Sequence, residues 1–305
     1  MESKRLANYI EKLRYGRKIS QEEFCHGITS LRQYQRYRSG KCELPLDVID
    51  KMSRKLGIPT KKLYLEFGKE EIIETKRVTK YYNLVVTREF EKAKTFRNMN
   101  NFEIFIDDEK EKFYVSASLL MSYLENDLSI VDFVRKQSKL IDYPQVIKKT
   151  ILTDSETLIL GIIMENSPID RDIIMEKLLV IIENDDLHIT GRNIFAKCQV
   201  IFWLTKNYGK QKKHDKVIQL CNKGIMLNKD NYTYYLLEYF YYYKALSCLR
   251  TNLFIEFEDN LYNALMVLEL MDFRKRDRFY KIILKDTKID PFEFIIDRYN
   301  KRING

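Results

Sequence analysis

Residues that end helices are scarce in this chain, which contains only 10 Gly and 5 Pro among 305 residues. Glycine and proline mark most of the points where a helix stops or a hairpin turns, so the chain has few places to form sheets with tight turns. Hydrophobic residues make up 45% of the sequence and include 21 Tyr and 17 Phe, which is ample material for a core. These properties predict an all-α fold.

Cysteine usage and the amino-terminal segment bear on the compartment. The five cysteines are odd in number, widely spaced and form no CxxC pair, so we expect reduced thiols and no zinc site. The first residues, MESKRLANYIEKL, are charged and amphipathic, and no uncharged apolar run is long enough to cross a membrane. These features predict a cytoplasmic protein without a membrane partner.

Positive charge is concentrated near the amino end. Residues 1–68 contain 15 Lys and Arg against 8 Asp and Glu, whereas residues 69–305 contain 38 against 36. A compact module that binds a polyanion needs such a concentration, and a basic surface that only aids solubility does not. We therefore divide the chain into a basic domain over 1–68 and a second domain over 69–305.

The basic domain carries the signals of five short helices. After a first amphipathic helix, the Ser20 hydroxyl can cap a second helix that ends near Gly27. Ser30 can cap a third helix, SLRQYQRYRSG, which Gly40 terminates. Two more helices are predicted over 45–56 and 60–67. Short helices joined by the tight HGIT segment predict a helix-turn-helix domain of the lambda-repressor type.

The third helix carries side chains that could read DNA bases. Leu31 and Tyr34 have helical spacing and are expected to face the core, which leaves the polar residues on the outer face. Arginine can form a bidentate contact with guanine and glutamine with adenine. Because the N-terminal half of such a helix points into the major groove, we assign base contacts first to Arg32 and Gln33.

The other predicted DNA contacts are directed mainly at the phosphate backbone. Arg36 and Lys41 are better placed for phosphate, and Gln21 lies where a helix N-terminus can meet one. Ser30 and Gln35 complete the predicted set. The alternative is an ordinary polar surface helix. Capping, turn spacing and local charge together favour double-stranded DNA with paired half-sites.

The same stretch resembles a known family. The strings ISQEEFC, GITSLRQYQRYRSGK and LPLDVIDKMSRKLGI resemble the helix-turn-helix of the Rgg, ComR and PlcR (RRNPP-type) regulators, and Arg32-Gln33 matches a dipeptide of the ComR-like branch. Arg38 departs from the pattern, since the family usually has a glutamate there that pairs with an arginine of the first helix. Arg38 could instead contact DNA, or it could form an ion pair with Glu11 or Glu22.

The remainder of the chain reads as paired helices. The clearest pairs are 193–208 with 216–227 and 232–249 with 256–271. Superposing the second helices places Gly224 on Ala264. The resulting period exceeds that of a tetratricopeptide unit and is within the range of other helical repeats. Earlier helices are expected near 71–98, 113–125, 129–140, 154–165 and 169–183.

A stack of such pairs leaves one wall free, and that wall suits an extended peptide. Tyr235, Glu238 and Tyr242 recur on one helical face of the tyrosine-rich stretch over 231–247 and are predicted to line a groove. The preceding first helix offers further peptide-binding candidates: Asn193, Lys197 and Asn207. The alternative for the tyrosines is ordinary partly buried packing. The resemblance implies the same architecture, a tetratricopeptide-like array that binds a short linear signalling peptide in a dimer.

No set of catalytic residues can be identified in the sequence. None of the three histidines has a partner at ligand spacing, and the sequence contains no GxGxxG, GxxxxGK[ST], GxSxG or HExxH motif. The pairs Asp107-Asp108 and Asp185-Asp186 are expected in solvated loops. Trp203, in the apolar run IFWL, is expected in the core. We therefore expect a non-enzyme without cofactor or metal.

Three functional hypotheses remain. The preferred one is a homodimeric, sequence-specific transcription regulator that senses a short peptide, as a quorum-sensing pheromone receptor does. The second is a DNA-tethered scaffold whose repeats bind another folded protein. The third is a peptide-independent repressor of a mobile element, whose repeats serve only dimerisation.

Overall fold

The computed structural model describes residues 2–100, 102–168, 170–183 and 194–303. Within these ranges the regular structure is helical and includes no β-strand, which confirms the predicted all-α class. The chain divides into two compact units, Met1–Tyr143 and Pro144–Gly305.

The first four helices of unit 1, which together we call the head (residues 2–55), start and stop close to the predicted signals. They are α1 (Glu2–Gly16), α2 (Gln21–Cys25), α3 (Leu31–Arg38) and α4 (Leu46–Lys55). The Ser20 hydroxyl accepts a hydrogen bond from the Glu23 amide at 3.1 Å, which confirms the predicted cap. Gly40 (φ 74°) and Gly57 (φ 68°) follow α3 and α4 in the left-handed region, where other residues are strained.

The fifth helix is longer than predicted. α5 (Thr60–Val86) continues through Gly68, where the sequence placed both a helix end and a domain boundary. An internal helical glycine costs only about 1 kcal/mol. Burial on both sides of Gly68 offsets this cost through the side chains of Leu63, Phe67, Val78, Tyr81, Tyr82 and Val85. The predicted helix end at 67 is therefore wrong, and a functional boundary near residue 68 stays a prediction.

The single helix predicted over 71–98 is also wrong. α5 ends at Val86, Arg88 adopts a positive φ of 60°, and α6 (Phe90–Met99) follows. Unit 1 is completed by α7 (Asp108–Leu124) and α8 (Ile130–Ile141).

A residue far along the chain completes the core of the head. Ile106 is fully buried in the same cluster as Phe24 and Tyr34. Its carbonyl accepts a hydrogen bond from Asn8 Nδ2 at 3.4 Å, and its amide donates to the buried Glu74 carboxylate at 3.0 Å. The segment before α7 therefore connects α1 to α5 through backbone groups and a buried aliphatic side chain.

Ion pairs run alongside this apolar contact. Arg5 lies 3.0 Å from Glu71, and Lys12 lies 3.1 Å from Glu70. These side chains are partly exposed, so each pair contributes no more than about 1 kcal/mol. They set the register of α1 along α5, and the apolar core supplies most of the stability.

Unit 2 is a succession of helices after a short 3₁₀ turn at Gln145–Lys148. The helices are α9 (Asp154–Asn166), α10 (Arg171–Glu183), α11 (Ile194–Lys210), α12 (His214–Asp230), α13 (Leu237–Arg250), α14 (Phe254–Glu269), α15 (Phe273–Thr287) and α16 (Pro291–Ile303). α11 packs on α12, α12 on α13, and α13 on α14. The offset between the starts of α12 and α14 equals that between Gly224 and Ala264, which confirms the predicted period.

Small residues allow these helices to approach closely. A side chain at Gly224 would meet the Phe240 ring of α13 at 2.7 Å, and one at Gly161 of α9 would overlap the Trp203 ring of α11. Trp203 is 5% exposed, as expected for a core residue. Glycine is thus required at both positions because aromatic rings occupy the space of a Cβ atom.

The five cysteines are unpaired, and only Cys42 is more than marginally exposed. Burial raises the pKa of the Cys198 and Cys221 thiols to about 12, so both are inert protonated thiols at neutral pH. Over the described ranges, no helix combines the length and apolar character needed to cross a membrane.

Candidate nucleic-acid interface and repeat face

The outer helix of the head is fixed at both ends and along its inner face. The Ser30 hydroxyl accepts a hydrogen bond from the Gln33 amide at 3.1 Å, which caps α3. Tyr34 and Tyr37 are buried, and Leu31 packs against the same core. The sequence prediction that Leu31 and Tyr34 face inward is confirmed, and the opposite face of α3 is left in solvent.

A buried carboxylate beneath α3 joins three helices. Glu11 of α1 accepts hydrogen bonds from Arg14 Nη2 at 2.7 Å, Gln21 Nε2 at 2.7 Å and Tyr34 Oη at 2.8 Å. A guanidinium nitrogen of Arg38 lies 3.2 Å from the same carboxylate. Glu11 therefore fixes α2 and α3 against α1 through charge-assisted contacts.

The ionisation of Glu11 reflects this environment. Burial alone raises the pKa of the carboxyl, but the hydrogen bonds from Arg14, Gln21 and Tyr34, together with the charge of Arg38, lower it to about 2. Burial and the adjacent Glu11 charge raise the pKa of the Tyr34 phenol. The site is therefore anionic at Glu11 and neutral at Tyr34 over the physiological range.

Arg38 thus forms an ion pair with Glu11, which is one of the alternatives that the sequence left open. This pair joins the first helix to α3, with the acid on α1 and the base on α3. The Arg38 side chain is 30% exposed, so part of the guanidinium also faces solvent beside α3.

The predicted DNA-contacting residues fall into two groups. Five are exposed: Ser30, Arg32, Gln35, Arg36 and Lys41. The other two are engaged within the head, since Gln33 Nε2 lies 3.2 Å from Cys42 Sγ and the Gln21 amide donates to Glu11. The exposed group presents three positive charges on and just beyond one short helix. Such a surface is suited to a duplex groove and its phosphates.

In unit 2 the first helices of successive pairs lie side by side. Tyr239 of α13 forms an edge contact with Phe202 of α11 at 5.0 Å and with Phe279 of α15 at 4.9 Å between ring centroids. Tyr243 lies 6.0 Å from Phe202, and Tyr242 lies 5.2 Å from Phe279. We call these five aromatic residues the repeat face.

The predicted peptide-contacting residues that the structure describes lie in or near the repeat face and differ in how far they are exposed. Tyr235 is half-buried and donates to Gln199 at 2.7 Å, and Lys197 is also half-buried. Asn193 lies outside the described residues.

The other three candidates are not open to solvent. Asn207 is 3% exposed and donates to Glu165 at 2.6 Å, while Tyr242 is 2% exposed and donates to Asp286 at 2.7 Å. Glu238 is fully buried. The expectation that these three side chains lie open along a wall is therefore wrong. Residues of α9 and α15 bury these three side chains, and the residue spacing within one helix gives no information about contacts with other helices.

Sequence reasoning missed Phe202, Tyr239 and Lys275. Phe202 lies in the apolar run that predicted core, and Tyr239 is one of many tyrosines in its stretch. Lys275 lies on α15, beyond the two repeat units that the period matched, and its ammonium is 2.6 Å from Glu238. Only an explicit alignment of the first helices could have indicated the two aromatic residues, and no sequence signal marks the lysine.

The fold is therefore that of an all-α protein with a head of four short helices and an array of helical pairs. Among solved structures, the chain is similar to the apo form of PlcR from Bacillus thuringiensis, with a TM-score of 0.56, 15% identity, and coverage of 92% of this chain and 98% of that one. ComR from S. thermophilus, in complex with DNA and its signalling peptide ComS, matches with a TM-score of 0.54, 15% identity, and 92% and 99% coverage.

A third similar structure is ComR from Streptococcus vestibularis in complex with its signalling peptide XIP, with a TM-score of 0.51, 14% identity, and 93% and 99% coverage. The chain thus shares the architecture of these RRNPP-type peptide-responsive regulators, as the sequence resemblance implied. No protein-family model matches the sequence, and comparison with curated proteins gives no match either.

Proposed function

We propose that the protein is a sequence-specific DNA-binding transcription regulator whose helical repeats bind a short linear peptide. The observation that carries the proposal is the exposed basic face of α3, held on a fixed head by Glu11 and two buried tyrosines. Arg32 and Arg36 are exposed on that face, and Lys41 lies just beyond its end. The fold shared with PlcR and ComR supports the same function.

In the proposed mechanism, unit 1 contacts DNA and unit 2 binds the peptide. In a homodimer, two copies of α3 would enter successive major grooves of paired half-sites, and the distance between the copies would set the spacing that is read. A peptide bound to unit 2 would change this spacing only by binding two conformations of the dimer unequally. The repeats are thus proposed to serve both as sensor and as dimerisation domain.

The DNA half of the proposal is tested by selecting duplexes from a random pool and measuring binding by fluorescence anisotropy. Arg32→Ala is expected to weaken binding to the selected duplex by about 5- to 150-fold, the equivalent of roughly 1–3 kcal/mol, with little change for random duplex. Lys41→Ala is expected to weaken binding to both and to lower the salt slope by about one.

Arg54→Ala is the matched control, because Arg54 is an exposed arginine on α4 whose loss changes the charge of the head equally. If the wild type selects no duplex, or if Arg32→Ala and Lys41→Ala behave like Arg54→Ala, the proposed reading surface is wrong. The peptide half is tested by adding peptides selected on the protein to the same assay. Selected duplex binding that no such peptide alters would indicate a peptide-independent repressor.

A further inference from the structure

Four glutamates are buried among the residues that the structure describes, and one of them is unlike the others: Glu11, Glu74, Glu156 and Glu238. The first three carboxylates receive donors on both oxygens, from side chains or backbone amides. Glu238 is 0% exposed, yet neither of its oxygens has a hydrogen-bond donor within the described ranges. Its one partner is the Lys275 ammonium, 2.6 Å from Oε1 but without hydrogen-bonding geometry.

The ion pair between Glu238 and Lys275 is unequal. The Glu238 side chain has lost all contact with solvent, whereas the Lys275 side chain is 45% exposed. A carboxylate can accept about four hydrogen bonds, and one that is buried with fewer is costly. The Glu238 carboxylate is thus shielded from water, whereas its partner ammonium on Lys275 is partly exposed to solvent. A buried polar group with so few hydrogen bonds calls for a functional explanation.

The neighbourhood of Glu238 is suited to a second cation. Lys275 Nζ lies 5.9 Å from the centre of the Tyr239 ring. That ring is held from both sides by Phe202 and Phe279 of the repeat face. A carboxylate next to a fixed aromatic ring attracts cations through charge and through the ring quadrupole. The Glu238 carboxylate and the Tyr239 ring thus lie together at the repeat face, in the stretch where the sequence predicted a peptide groove.

We propose that Glu238 and Tyr239 form a subsite for a cationic group of the bound peptide, which displaces the Lys275 ammonium. This inference rests on the proposed function. The exchange keeps the charge balance, since one cation leaves Glu238 as another arrives. A guanidinium is favoured because its planar donors can occupy both carboxylate oxygens, which a single lysine does not do here. The same chemistry could come from an arginine or lysine side chain or from the peptide's amino terminus.

The experiment begins with the full chain immobilised and a random heptapeptide phage library as probe. We expect the selected peptides to be enriched in arginine or lysine at one position or to require a free amino terminus. The best peptide is then synthesised in three forms: unchanged, with its cationic residue replaced by norleucine, and with an acetylated amino terminus. Affinities are measured by fluorescence anisotropy, and the form that loses affinity identifies the source of the cation.

Protein variants then show whether Glu238 is the recipient. Glu238→Gln is expected to bind the unchanged peptide about 10- to 100-fold more weakly, while the form that lacks the cation binds wild type and variant alike. Glu258→Gln is the matched control, because Glu258 is an ion-paired glutamate of α14 whose side chain is 45% exposed. Lys275→Met removes the competing cation and is expected to bind the unchanged peptide more tightly than wild type.

The possible outcomes distinguish failure of the cation subsite from failure of the proposed peptide sensing. If the wild type selects no peptide, the proposed peptide sensing fails and the subsite fails with it. If peptides are selected without a cation preference, or if Glu238→Gln and Glu258→Gln bind them equally, the subsite alone is overturned. Should Glu238→Gln bind no peptide of any form, Lys275→Met decides, since weaker binding of the cationic peptide by that variant contradicts the displacement.

Discussion

Replacing Glu11 with glutamine should loosen α3 while leaving unit 2 unchanged. The substitution keeps the shape of the side chain but removes the negative charge with which Arg14 and Arg38 form ion pairs. The pKa of Glu11 falls from 4.5 to about 2 on folding, and the side chain is only 4% exposed. That fall corresponds to a stabilisation of about 3 kcal/mol, which is in the range expected when a buried charge loses its partner.

Hydrogen exchange measured by mass spectrometry is the suitable assay, because it reports on α3 separately. A loss of about 3 kcal/mol should lower the protection of the amides over 31–38 by roughly a hundredfold if they exchange through unfolding of the head. The single Trp203 lies in unit 2, so its fluorescence on denaturation serves as an internal control that should not change. Glu22→Gln, at an exposed position of α2, should change protection by less than about 0.5 kcal/mol.

The pH dependence gives a second readout with a defined sign. Because folding lowers the pKa of Glu11, its contribution is fully present above about pH 4.5 and is lost as the pH falls towards 2. Wild type and Glu11→Gln should therefore differ most near neutral pH and converge in acid. Equal protection of α3 in the two proteins at pH 7 would refute the assignment of Glu11 as the residue that holds this helix.

Further predictions concern packing. Ile106→Ala should destabilise the head by about 2–5 kcal/mol, because Ile106 is fully buried in its core, and faster hydrogen exchange over 31–38 would show it. Normal protection there would mean that Ile106 is dispensable. Gly161→Ala should cost about 1–3 kcal/mol and alter Trp203 fluorescence, since the new methyl group overlaps the indole ring. Gly209→Ala, in α11 with its nearest neighbour 4.0 Å away, should instead stabilise by up to about 1 kcal/mol in the same denaturation assay. A gain in stability from Gly161→Ala would contradict the packing seen between α9 and α11.

Features encoded locally were predictable from the sequence. The caps at Ser20 and Ser30 and the stop at Gly40 depend only on neighbouring residues, and all three are present. The repeat period was visible because equivalent helices repeat their small residues. Gly68 was misleading for the opposite reason, since burial along the whole of α5 outweighs the cost of one glycine.

The candidate site was predictable only in part. The exposed residues of α3 follow from helical spacing, so Arg32, Gln35 and Arg36 lie on the outer face as expected. Burial of Asn207 and Tyr242 depends on residues of other helices, distant in the sequence, that form their hydrogen bonds. Pairing of Glu11 with Arg38 could be named as a possibility but not chosen, because the choice requires the packing of α1 under α3.

The position of Ile106 has a consequence for biosynthesis. A ribosome makes the four head helices first, yet the side chain that fills their centre is added only after α5 and α6 have also been synthesised. Domains generally mature in the order in which they are translated. Here the amino-terminal module must wait for the loop that precedes α7, so prematurely terminated chains carry a basic helix on an incompletely packed head, and the proposed DNA binding should be weak in them.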